Sequence, residues 1–174
     1  MKSTMLLLSL IVSTSVFAQT AKDAATQSKL EVFALKTGSL FKREFKDIGT
    51  IRRIDIKAIT FTDVIQQTSL KGVKLGMPIS KSYGTTSVSS ILDQDEIEAF
   101  VKSSRLLLDM PTEGTNNYIE YNFISRGGFQ SGSYNDKKDG WKYFLQLDRY
   151  DKDSYAFLDK EDFKKLVDLV ESCK

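Results

Sequence analysis

Three aspartates crowd into the stretch LDRYDKDSY: Asp148, Asp151 and Asp153. Two carboxyl groups facing each other across a cleft can act as acid and base on a glycosidic bond. A cluster of such oxygens can also hold calcium. The calcium loop fails on inspection. Counted from Asp151, position 3 is Asp153, but Tyr155 stands where position 5 needs an oxygen ligand and Ala156 where position 6 needs glycine. Lying between two strand-like runs, the aspartates read first as turn residues. A carboxylate pair acting on a glycan is the alternative reading.

Other reactive groups are scarce. The chain of 174 residues has no histidine, which removes Ser-His-Asp and Cys-His catalysis and most protein zinc sites. No metal ligand set and no cofactor motif emerges. Ser80 and Lys81 are adjacent in SKSYG, so their side chains point apart and the segment reads as a loop. The one cysteine, Cys173, lies at a predicted helix C-terminus, where the dipole disfavours a thiolate. It can join two copies, but no internal disulfide is available, so stability must come from a core. The glycine-rich SRGGFQSGS lacks the following lysine and helix of a phosphate loop. Strand alternation resumes after Gly127-Gly128, which predicts a hairpin with the positive φ angles of a type I′ turn.

The elements that must position these groups begin after residue 18. MKSTMLLLSLIVSTSVFAQT has Lys2, the apolar run Met5 to Val12, and Val16 and Ala18 placed for a cut before Gln19. That is the order of a signal peptide, and the run is too short to span a membrane. The expectation is export to the periplasm or secretion, with residues 1–18 removed and no transmembrane or lipid anchor. Residues 19–28 read as a flexible lead-in. One of the 25 basic residues leaves with the signal, so 24 face 23 acids. No nucleic-acid partner is expected from such balance. Locally, Lys29 to Lys57 is net positive and Asp93 to Glu120 net negative; the two read first as pairing across the fold, with a ligand-binding patch as the alternative.

Two helix starts share an outline, ILDQDEIEAFV and FLDKEDFKKLV. Asp93 caps the first, Glu96 completes a capping box, and Leu92 meets Ile97 as a staple. In the second, Asp159 caps, Asp162 stands at N3 and Leu158 faces Phe163. Phe163, Leu166, Val167 and Val170 then follow helical period, as do Ile97, Phe100 and Val101. Pro111 ends the first helix.

Strand-like runs precede each helix. SLFKREF, IRRIDIKAITF, VKLGMPI and TTSVSSIL come before the first; Gly76 and Pro78 mark the third as an edge strand. NYIEYNFIS, FQSGSY, WKYFLQLDRY and SYAFL come before the second, with NDKKDG as a turn. The class is α+β: antiparallel sheets with two amphipathic helices in one domain over 29–174. Whether 29–109 and 116–174 are pseudo-repeated ββββα units stays open. The element order resembles the paired four-strand-plus-helix repeats of PUR-type and Whirly-type single-strand nucleic-acid binders. The resemblance is architectural, without a shared motif, and the signal peptide sets the chain apart from their setting.

Aromatics concentrate in the second half: Tyr118, Tyr121, Phe123, Phe129, Tyr134, Trp141, Tyr143, Phe144, Tyr150, Tyr155 and Phe157. Some of these rings serve a core; exposed ones beside Arg126 would suit a protein, peptide or glycan surface. The functional expectation is an exported, non-catalytic binding module. It recognises a protein or extended ligand of the cell envelope through this sheet, with Tyr121, Arg126, Trp141 and Tyr143 as contacts.

Overall fold

A computed structural model describes residues 27–110, 117–136 and 140–174. The signal segment, most of the lead-in, residues 111–116 of the connector and residues 137–139 of the NDKKDG turn lie outside them. The first half is a four-stranded antiparallel meander: β1 (Phe41–Ile51), β2 (Ile54–Asp63), β3 (Thr68–Lys81) and β4 (Gly84–Asp93). Helix α2 (Gln94–Asp109) follows. A second meander runs β5 (Glu120–Ile124), β6 (Gln130–Asp136), β7 (Gly140–Gln146) and β8 (Tyr155–Leu158), and helix α3 (Lys160–Glu171) ends it. The α+β class and the ββββα order of both halves are as the sequence predicts.

A third, short helix was not expected. Helix α1 (Lys29–Ala34) is capped by Ser28, whose hydroxyl accepts from the Glu31 N–H while Glu31 bonds the Ser28 N–H. Ser28 is fully buried, so the end of the supposed lead-in is an anchored cap. Too few turns for the periodic signal, this helix forms because Leu30 and Phe33 bury against Ile59, Phe61 and Ile91 on the outer face of the first sheet. Asp93 serves twice there: it starts α2, and its carboxylate accepts from the N–H groups of Lys29 and Leu30.

One core joins the halves. Ile54, Ile56, Val73, Leu75, Met77 and Leu92 from the first sheet meet Phe100 and Ile97 of α2. The same core continues through Phe129, Tyr143 and Leu145 of the second sheet to Phe163, Leu166 and Val170 of α3. Both staples are buried, Leu92 with Ile97 and Leu158 with Phe163. The helices pack on each other, and α3 also reaches back to β1, where Leu169 lies against Gly49. Each helix thus covers parts of both sheets.

Two strand-level expectations change. Strand β3 is central, not an edge: Thr68 to Gly76 pairs with β2 on one side, and Gly72 to Lys81 pairs with β4 on the other. Pro78 is tolerated because β2 has ended by then, leaving a two-stranded extension with one open side. In the β5–β6 hairpin only Gly128 has positive φ, at 85°, and the Gly128 N–H donates to Ser125 C=O. The turn is therefore not type I′. Gly127 instead makes a close approach: a Cβ there would stand 3.2 Å from the Ile91 carbonyl oxygen, tighter than side chains usually pack.

The basic stretch finds acids, but mostly not the expected ones. Lys29 meets Asp95 at 2.9 Å. Arg52 instead binds Asp159 and Asp162 at the start of α3, and Lys57 binds Asp47. No helix among the described residues is long and apolar enough to cross a membrane.

Candidate functional site

Residues opposite each other in an antiparallel ladder share a face. The register pairs Tyr121 with Ser133, Ser133 with Tyr143, and Tyr143 with Leu158. That set faces the helices. The alternate set, running Asn122, Gly132, Phe144 and Phe157, faces away.

The four expected contact residues fall in three places. Tyr121 and Trp141 come together, stacked with ring centres 5.7 Å apart and planes at 29°. Tyr121 is 37% exposed and lines a groove of about 360 Å³ between α2 and β5, with Leu106, Leu107 and Met110 on the helix side. Tyr143 is only 4% exposed and lies flat on Phe163 at 4.8 Å. Its position on the helix side of a middle strand makes it a core residue, and burial raises the pKa of its hydroxyl. Arg126 is some way from both, at the hairpin tip. Its guanidinium bonds Asp95 and Asp93, and its backbone N–H donates to Glu96 at 2.7 Å. Burial opposes its charge, but Glu96, Asp95 and Asp93 outweigh that and raise its pKa. Arg126 closes a joint between the halves.

The outward face carries the larger aromatic surface. Tyr118, Tyr134, Phe144, Tyr155 and Phe157 form an unbroken chain, with successive ring centres 6.4, 6.3, 5.8 and 6.0 Å apart. The last pair is stacked, its planes 14° apart. Among the described residues no helix covers this face, yet Phe144 is 3% exposed, because neighbouring rings close over it. Tyr118 and Phe157, the two ends, are 64% and 61% exposed. Gly132 stands opposite Phe144 in the middle row. The Tyr118 hydroxyl donates to Glu120, which raises its pKa.

Alternation was the available signal for this band. Tyr134, Phe144, Tyr155 and Phe157 occupy the parity opposite to Tyr121, Phe123 and Tyr143. Which parity faces the helices depends on how the sheet docks, and the strand pattern alone is apolar on both.

The aspartates are turn residues with a distant partner. Asp148 accepts from the Tyr150 N–H, and Asp151 from the Asp153 N–H. Lys81, at the end of β3, reaches across to bond Asp151 at 3.0 and 3.1 Å and Asp153 at 2.6 Å. Lys81 holds the Asp151 carboxyl below its ordinary range. A general acid needs the opposite shift. Cys173 donates to the Leu169 carbonyl, and burial raises its pKa. Among the described residues, no cluster of three histidines, cysteines or carboxylates gathers to hold a metal.

Comparison with protein-family models, curated proteins and solved structures gives no match.

Proposed function

We propose that the protein is an exported, non-catalytic binding module that holds a protein or other extended ligand against the outward aromatic face of its second sheet. The observation that carries this reading is the chain of five rings from Tyr118 to Phe157, covered by no helix among the described residues and most exposed at its two ends. Rings in a row offer flat apolar area at small entropic cost, and they suit a ligand that is itself extended. The cell envelope is the proposed setting, on the strength of the signal-like N-terminus. The glycan-cleaving alternative loses support from Lys81, which bonds two of the three carboxylates such chemistry would use.

The test couples the protein without residues 1–18 to a surface beside a Tyr118→Ala/Phe157→Ala variant. Both are offered a native cell-envelope fraction and, separately, a glycan array. Because both side chains are exposed, the variant keeps the parent melting temperature to within a few degrees. A partner or glycan held by the parent and lost by the variant supports the reading. Equal retention by both rejects this face, and retention by neither rejects the binding module.

A further inference from the structure

The second sheet has a free edge beside an apolar groove. Among the described residues, strand β5 pairs only with β6. Asn135 N–H donates to Ile119 C=O, and Ser125 N–H donates to Phe129 C=O, so odd-numbered residues of this ladder turn their backbone groups toward β6. The backbone N–H and C=O of Glu120, Asn122 and Ile124 therefore point outward, and among the described residues nothing pairs with them. All three residues are exposed, Ile124 to 52%. Unpaired backbone of this kind is a template for another strand.

The other edges differ. Strand β1 is studded with Lys42, Arg43, Glu44, Lys46 and Asp47 and breaks register between Asp47 and Gly49. Strand β8 has four residues, and Arg53 occupies the Tyr155 carbonyl. Strand β4 is lined by serines and threonines, and the groove beside it is edged by Asp55, Lys57, Lys74, Ser87 and Ser89. At β5 a free ladder and an apolar groove coincide.

We infer that β5 is a strand-addition site for an extended peptide segment of a partner, with apolar side chains at alternate positions and a basic residue near Glu120. Alternate side chains of an added strand point to opposite faces. One set enters the groove against Leu106, Leu107 and Met110, where Leu106 is 58% exposed. The preference for a cation comes from the groove's end. Helix α2 starts beside Arg126, whose N–H bonds Glu96, and its final residues up to Met110 line the groove opposite Tyr121 and Phe123. Its last turn has no basic residue and carries Asp109, so the negative end of the helix dipole is uncompensated there. A second copy pairing symmetrically about Asn122 would set Glu120 against Ile124 and leave that charge unmatched.

The inference does not rest on the outward ring band, and its test separates the two. A display library of random linear decapeptides is selected on the protein without residues 1–18. The best binder is then synthesised, with and without N-methyl groups at alternate residues. The expected winner alternates apolar and polar residues with a basic end, slows amide exchange at Glu120, Asn122 and Ile124, and weakens about tenfold or more on N-methylation. Asn122→Pro removes an outward N–H without breaking the β6 ladder and gives the same loss. Phe157→Ala, at the far edge, leaves binding unchanged. The inference is overturned by no enrichment, by binders indifferent to N-methylation, or by loss with Phe157→Ala alone. It is also overturned if those three amides are already protected without peptide, whether in a dimer, which makes the occupant a second copy, or in a monomer, which makes it another segment of the same chain.

Discussion

Arg126 grips Asp95 with both terminal guanidinium nitrogens, 2.7 and 3.1 Å from the two carboxylate oxygens. The same guanidinium touches Asp93, which caps α2 and holds the first turn of α1. Exposed pairs are worth little, but Asp93 is almost fully buried, so losing this partner takes a bond from a buried acid. Arg126→Ala should therefore destabilise the fold by about 1–2 kcal/mol. Faster amide exchange in α1 as well as in the hairpin would show that Arg126 works as a joint. Unchanged exchange at α1 would confine its effect to the hairpin.

Gly132 lies so close to the neighbouring strand that a Cβ would sit 1.9 Å from the Tyr121 carbonyl oxygen. The clash is with backbone, which cannot rotate away. Gly132→Ala should cost about 3 kcal/mol or more, a large fraction of a typical domain's stability. A denaturant midpoint within error of the parent would show that the strands are spaced more widely than described.

Phe144 and Phe157 are cross-strand neighbours on one face but differ in exposure, 3% against 61%. Phe144→Ala should cost about 3–5 kcal/mol, as for other buried rings. Phe157→Ala should cost less than about 1 kcal/mol. Thermal melts of the two variants read the contrast directly. Equal losses would mean the band is a second core and not an open surface.

Stability should be flat from about pH 5 to 9 and fall on both sides. Asp95 is held low by Lys29, Asp151 by Lys81, and Glu171 by Arg105. These carboxyls release protons more readily when folded. Their contribution is complete above the unfolded value near 4 and is lost as pH falls through the lower folded values. Lys81 is raised by Asp153 and then Asp151. Its contribution is complete below the unfolded value near 10.4 and is lost as pH rises through the higher folded value. With no histidine in the chain, little titrates between. Urea midpoints measured from pH 3 to 11 test this; a steep slope near pH 6.5 would contradict it.

Much of the architecture was legible locally. Asp93 with Glu96, and Asp159 with its following apolar stripe, start α2 and α3, because capping and amphipathic period are properties of a few successive residues. Strand β3 was misplaced as an edge because Pro78 excludes pairing on one side only where a strand is there to pair, and strand length is a non-local fact. Helix α1 carries little periodic signal in so few turns, and its stability comes from the burial of Leu30 and Phe33 and from Asp93, more than sixty residues later.

The site divides along the same line. The crowding of rings in the second half is written in the sequence, as is their alternation along each strand. Which parity turns outward was decided by the docking of α2 and α3, which buried Tyr143 on Phe163 and left Tyr118 and Phe157 in the open. Lys81 finds Asp151 across 70 positions, and Arg126 finds Asp95 across 31, so electrostatic partners were likewise settled by the fold. Local rules set the elements because caps, turns and period act within a few residues. Partners and faces had to wait for tertiary structure, because charge and burial depend on distance in space and not along the chain.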